Sequence, residues 1–321
     1  MSDLPEPWPL GYRSRSATTA DVQAVHRLVT ECERRLLGRA VTGFERIAAD
    51  LGLPDQEPKP DSVLVRDSKG DPAGWGWMKG RRARVHVHPD HLGRGLGRSL
   101  LDWAEARARR LGIDRLSQSV PDSDHMANAL LRSSGYFPLV TEWLLEITMP
   151  VEPEVPEPPA GITVRPFRPG DAQAAYQVTE DAFDEWQQRR KTYAEWARLT
   201  VERATFEPAA SPVAFAGGQM VGVVLSSDVP GSDEGYVERV AVRRDHRARG
   251  IARMLLREAF RTFYHQGKGT CTLWTHTGTG ALSLYERIGM TVQRSSTVHS
   301  KALTIEQRPP GPAGDRRRGD L

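Results

Sequence analysis

A chain of 321 residues is long enough for about two domains, each with a core of its own. Its 44 basic and 41 acidic side chains leave a formal charge of +3, spread along the chain with no dense basic tract, which argues against nucleic acid as the main partner. Two distant cysteines, Cys32 and Cys271, give no disulfide framework, and no run approaches about 18 apolar residues, so a cytoplasmic protein without a membrane span is expected.

The N-terminal stretch MSDLPEPWPL has neither the basic start nor the apolar core of a targeting segment. Gly11-Tyr12-Arg13-Ser14-Arg15 reads as an extended start before a helix opening near Asp21, and SVLVRDSKGDPAGWGWM as two strands around a glycine-containing turn. Residues 88–101, HPDHLGRGLGRSLL, predict a glycine-rich turn and a helix with Leu100, Leu101, Ala104, Ala108 and Leu111 on its apolar face, stopping at Gly112. LLRSSGYF then closes a first helix-to-strand passage. In residues 150–161, PVEPEVPEPPAG, five prolines alternate with acids, a composition that excludes helix and favours extended geometry; 150–160 is read as an interdomain linker.

Beyond it the same order returns. Gly161-Ile162-Thr163-Val164-Arg165 precedes a helix near Asp171, and PVAFAGGQMVGVVLS reads as two strands. The apolar run Val237, Val240, Val242 leads into RRDHRARGIARMLL, residues 243–256, whose helix carries Met254, Leu255, Ala259, Phe260 and Phe263 and stops at Gly267. LYERIGMT matches LLRSSGYF, and from Arg308 the chain is Pro, Gly and Arg with little to bury, a disordered tail. Gly95 and Gly250 are 155 residues apart, Gly135 and Gly289 154. A duplicated mixed α/β unit follows, ordered β-α-(α)-β-β-β-α-β-α-β, with domains at 1–149 and 161–307.

A glycine turn at the start of a helix gathers unpaired backbone N–H groups where the helix dipole favours an anion. Gly93-x-Gly95-x-Gly97 lacks the Gly-x-x-Gly step of a dinucleotide fingerprint, and no Gly-Lys-Ser/Thr follows as a P-loop requires. HVHPDH, residues 86–91, has the spacing of a metal site, but its repeat AVRRDH loses the first two ligands, so no metal is expected.

The pattern resembles the GNAT (GCN5-related) N-acetyltransferases, whose signature is a strand, Arg/Gln-x-x-Gly-x-Gly/Ala and a helix, the loop holding the pyrophosphate of acetyl-CoA. Arg247-Ala248-Arg249-Gly250-Ile251-Ala252 matches every defined position, and the resemblance covers both halves apart from linker and termini. It implies two tandem GNAT domains and an acetyl-CoA site formed by Val240, Val242, the Arg247 to Ala252 loop and Arg253. Val87, Gly93, Arg94, Gly95, Leu96 and Gly97 are the counterparts in the first half.

The resemblance further implies a general base at Glu238, twelve residues before Gly250, and a general acid at Tyr285, four before Gly289. The first half has Leu92 in place of the motif Arg, Leu131 in place of Tyr285 and, by linear offset, Ala83 in place of Glu238. Catalysis is therefore expected in the second half, the first being silent. Against these roles stand a strand carboxylate paired with Arg239 or Arg243, and a core tyrosine with a satisfied hydroxyl. The acceptor is expected to be a small-molecule amine, with an antibiotic, an amino acid derivative and a protein N-terminus all open. In EDAFDEWQQRRKTYAEWARL, Asp181, Asp184 and Glu185 offer charge to a cationic amine and Trp186, Tyr193 and Trp196 a pocket wall, unless the stretch is an ordinary amphipathic helix. The tandem layout is similar to that of mycothiol synthase, but THTGTGALSLY lacks that enzyme's Asp-Asn pair, so its acceptor is not carried over. A non-catalytic module that binds CoA thioesters is the alternative.

Overall fold

The computed structural model describes residues 8–52, 61–184, 189–229 and 231–304. The expectations for the first seven residues, for Glu185 and Trp186, and for the tail from Arg308 lie outside the described residues. The chain forms two units, one drawn from Met1–Leu139 and Thr297–Leu321, the other from Val140–Ser296.

The first unit contains β1 (Arg13–Ser16), α1 (Val22–Leu37), α2 (Phe44–Gly52), β2 (Asp61–Arg66), β3 (Pro72–Lys79), β4 (Arg82–Val87), α3 (Leu96–Arg110), β5 (Arg115–Pro121) and α4 (His125–Ser133), and ends at the start of β6 (Phe137–Thr148). Strands β1 to β4 are antiparallel neighbours, and β4 meets β5 in parallel. Alternation of side chains along a strand feeds two cores. Val63, Val65 and Ala83 pack with Leu96, Leu100 and Ala104 of α3, while Leu64, Trp75 and Trp77 pack with Val25, Leu28 and Val29 of α1. Arg15 grips the buried Asp21 with two hydrogen bonds of 2.7 and 2.5 Å, tying β1 to the start of α1. That guanidinium holds the Asp21 carboxyl down to about 2.

In the second unit β7 (Ile162–Pro166), α5 (Ala172–Phe183), α6 (Tyr193–Leu199), β8 (Pro212–Ala216), β9 (Gln219–Asp228), β10 (Glu234–Val242), α7 (Ile251–His265), β11 (Thr270–His276), α8 (Leu282–Arg287) and β12 (Thr291–Ala302, in this unit as far as Ser296) follow the same order. Val224, Val237 and Val242 pack with Leu255 and Phe260 of α7; Val223, Leu225 and Ala241 pack with Ala175, Val178 and Trp196 of α5 and α6. Arg165 grips Asp171 at 2.6 and 2.7 Å, repeating the Arg15–Asp21 pair.

The last strand of each repeat serves the other unit. Glu142–Thr148 of β6 pair antiparallel with Thr270–His276 of β11 inside the second unit. The end of β12 lies in the first unit beside β5, where Ser300 bonds Ser117 at 3.0 Å, Leu303 N–H donates to Asp114 O at 2.7 Å and Lys301 Nζ sits 2.8 Å from the buried Glu105. Residues 150–160, expected between domains, therefore join two strands of the second unit. They form neither helix nor strand, and Val155 packs on that unit's core. No described helix is long and apolar enough to cross a membrane, and both cysteines are free thiols.

Candidate active site

Parallel pairing between β10 and β11 runs from Glu234–Val237 against Thr270–Leu273 and stops, although β10 continues to Val242 and β11 to His276. The outer neighbours β9 and β6 stay paired to those ends. Two backbone edges thus face each other without a shared ladder, and a cavity of about 420 Å³ opens there, lined by Val240, Val242, Trp274, His276, Tyr285 and the Arg247 to Arg253 loop without Arg249, which reaches Ala160 O instead.

The loop is built for close approach to its main chain. Arg247 Nε donates to Val242 O at 3.1 Å, a strut from the loop back to the strand. Ala248 sits at φ +58°, the one non-glycine at positive φ among the described residues, and Gly250 at φ +83° has nothing within 4 Å of where a Cβ would project. The first bond of α7 runs from Met254 N–H to Gly250 O at 3.0 Å, so the amides of Ile251, Ala252 and Arg253 have no partner within the helix. In the first unit Gly95 keeps the backbone angle, φ +84°, but a Cβ there would lie 3.4 Å from Pro9, and one on Gly97 would lie 3.2 Å from Leu130. Leu92 supplies no strut, and Val87 packs against the core.

Glu238 is an extra residue in its strand. Val237 pairs with Ser226 and Arg239 with Leu225, so Glu238 has no partner of its own: it forms a β-bulge. In the first unit Met78 pairs with Ala83 and Trp77 with Arg84, without interruption. The ladders therefore make Ala83 the counterpart of Val237 and Arg84 that of Arg239. The linear match of Ala83 to Glu238 is corrected: the carboxylate has no counterpart in the first unit. The Glu238 side chain accepts from Arg203 and, at 3.4 Å, from Ser227 Oγ. Its expected rivals are engaged elsewhere, Arg243 with Asp245 at 2.9 Å and Arg239 over the ring of Phe183 at 5.8 Å.

Tyr285, on α8, is 7% exposed, its ring among Leu273, Ile288 and their neighbours. Burial raises its phenol to about 12, and its hydroxyl has no hydrogen-bond partner among the described residues. Leu131 in the first unit is buried with Leu101, Val120 and Tyr136. The residues expected for an acceptor are placed differently. Asp181 and Asp184 are both bound by Arg190, the latter at 2.9 Å, and Trp196 is fully buried in the core. Tyr193 is 39% exposed and stacks on Trp196. Helix α5 gives the cavity Ala182 and Phe183 instead.

Arg203, which holds Glu238, and His246 and His276, which line the cavity, carry no signal in the sequence. Arg203 reaches Glu238 from 35 residues away, a distance without a local signal. His246 Nδ1 lies 3.0 Å from Asp245 Oδ1, and the Nδ1 of His276 is buried without a hydrogen-bond partner among the described residues. THTGTG marks a turn but not which side chain faces inward. The histidines of HVHPDH have separate partners: His86 stacks on Trp75, His88 meets Glu31 at 2.6 Å and His91 meets the Tyr12 hydroxyl at 2.8 Å.

A repeated mixed α/β unit, a strand pair that parts, and a glycine turn opening a helix at the parting define a class of acyl-transferring enzymes. The model of the acetyltransferase (GNAT) family matches residues 24–136 and 173–290, and the chain belongs to that family and is an acyltransferase. It is 27% identical over 227 residues to a mycothiol acetyltransferase of Catenulispora acidiphila, covering 68% of this chain and 72% of that one. A GCN5-related N-acetyltransferase from Sphaerobacter thermophilus superposes with a TM-score of 0.78 at 29% identity, over 92% of this chain and 97% of that one. A tandem GNAT protein from the clavulanic acid biosynthesis pathway, at TM-score 0.69 and 17% identity, covers 92% of this chain and 99% of its own, a likeness of fold alone.

Proposed function

We propose that the second unit moves an acetyl group from acetyl-CoA to the amine of a small-molecule acceptor. The observation that carries this reading is the parting of β10 and β11 directly above the open amides of the Arg247 to Ala252 loop. A pyrophosphate suits those amides, and an extended chain of amide groups, as in pantetheine, suits unpaired strand edges that need hydrogen bonds. The thioester then comes to rest between Glu238 and Tyr285. The acceptor's ammonium group loses a proton to Glu238, the free amine nitrogen forms a bond to the acetyl carbon, and its surplus proton passes to solvent as the amide forms. The inner N–H groups of β10 near Val242 support the carbonyl oxygen, the carbon–sulfur bond breaks, and the thiolate takes the proton of Tyr285. Glu238 must first release Arg203, so acceptor binding and activation of the base are coupled.

The first unit, on this reading, is silent: its β4 has neither the bulge nor a carboxylate at that place, Leu131 stands for the phenol, and Pro9 lies against its glycine turn. The mycothiol acetyltransferase relative supports a small-molecule acceptor. The test is thiol release from acetyl-CoA across a panel of amines, with acetyl-CoA binding followed by calorimetry. Turnover with at least one amine, lost in Glu238→Gln, is expected. Tight binding with no thiol release from any amine would instead make the protein a CoA-thioester-binding module.

A further inference from the structure

We propose that Arg239 selects an acceptor carrying a carboxylate next to its amine, as an α-amino acid does; the proposal rests on the reading of the second unit as an acyl-to-amine transferase. In a regular strand consecutive side chains point to opposite faces. The bulge at Glu238 cancels one alternation, so two consecutive side chains share a face. Arg239 lies over Phe183 at the end of α5, and Glu238 meets Arg203 just beyond α6. An acid and a guanidinium stand side by side at the cavity wall.

The two repeats allow an internal comparison. Arg84, the ladder counterpart of Arg239, lies over Trp77 at 4.6 Å and is bound by Asp50 at 2.6 Å. Arg239 keeps the aromatic contact with Phe183 but has no carboxylate partner among the described residues. The second unit has thus placed a half-buried guanidinium in its cavity without the acid that neutralises it in the first. Glu238 is taken up by Arg203, so it does not serve Arg239 as an ion-pair partner. A ligand carboxylate supplies the missing partner, and guanidinium–carboxylate pairing is the strong, two-bond kind. Because Glu238 is adjacent, the same ligand's ammonium group meets the base as its carboxylate meets Arg239, which matches the short separation of the two charges in an α-amino acid.

The experiment measures kcat/KM for thiol release with free L-amino acids and with the same amino acids as C-terminal amides, in wild type, Arg239→Gln and Arg239→Lys. Free acids are expected to exceed their amides by about 10- to 100-fold in wild type, the range for one charged hydrogen-bonded pair. In Arg239→Gln that preference collapses through a rise in KM for the acids alone, and Arg239→Lys restores part of it. Amides turned over as well as acids by wild type, or an equal loss for both series in Arg239→Gln, would overturn the proposal and leave acetyl transfer standing. Absence of thiol release with every member of both series, when another amine is turned over, would overturn this proposal alone; absence with every amine tried would overturn the transferase reading and this proposal with it.

Discussion

Tyr285 lines the cavity with its ring among apolar side chains, and burial keeps the proton on its hydroxyl, raised to about 12. A phenol raised in this way retains its proton at neutral pH and so can offer it to the thiolate that leaves in the proposed transfer. Tyr285→Phe preserves the ring, so kcat is expected to fall by about 10²–10⁴-fold with little change in the dissociation constant for acetyl-CoA. A paired measurement of turnover and binding checks this; turnover near wild type would leave Tyr285 a packing residue. Because the folded phenol titrates above its ordinary value near 10, loss of this acid removes no activity until pH rises toward about 12. Tyr285, Glu238 and Arg247 are legible in the sequence because a short motif fixes their spacing. Arg203 and Arg239 are not: one pairs across 35 residues and the other depends on the face toward which a bulge turns it.

The bulged strand β10 was itself half legible. Apolar residues at Val237, Val240 and Val242 are spaced three and then two apart, and a strand whose side chains alternate cannot bury all three without one extra residue between the first pair. Ala83, Val85 and Val87 keep strict alternation, and β4 keeps a regular ladder. The next element, the loop, stores strain at Ala248, whose left-handed backbone costs a β-carbon-bearing residue about 1–2 kcal/mol. Ala248→Gly relieves that and gives back part through a freer unfolded chain, so a net gain of roughly 0.5–1 kcal/mol is expected, read as a higher unfolding midpoint. At the start of α1, the Asp21 carboxyl is depressed from 3.8 to about 2, chiefly by its hydrogen bonds from Arg15. A depressed acid contributes stability above its unfolded value and loses it as pH falls through the folded one. Asp21→Asn is expected to be less stable than wild type by about 2 kcal/mol at pH 7, and the gap should close as pH falls from about 4 to about 2; a pH-independent gap would mean that packing, not charge, is lost.

On the scale of the whole molecule the duplication was legible from near-constant offsets, and the exchange of final strands was not. The repeat order ends each half in a strand, found at 137–148 and 291–302, but carries no address for the sheet each joins. The addresses are polar and remote: Lys301 and Glu105 lie 196 residues apart in sequence, and Ser300 and Ser117 183. Lys301→Ala should cost about 1.5–3 kcal/mol, the usual worth of a charged hydrogen bond, and should destabilise the first unit, although the residue lies near the far end of the chain; amide exchange in β4 and β5 would report it. The repeats should also respond differently to one substitution. Gly250→Glu sets a carboxylate against the anion site and is expected to abolish acetyl-CoA binding to the second unit, whereas Gly95→Glu should leave kcat within a few-fold. An equal loss in a folded Gly95→Glu protein would show that the first unit takes part in catalysis.

The exchanged strands also set a timetable. Residues 140–296 form one uninterrupted stretch, so the second unit has all its parts once residue 296 has left the ribosome. The first unit, begun earlier, lacks its outer strand until residues 297–303 follow. Until then β5 presents an open edge to whatever the cell offers, and open edges invite wrong partners. Nascent chains are usually completed from the N-terminus onward; here the half made first is finished last. A gene cut at the proline-rich segment would therefore give two fragments, each carrying the strand the other needs.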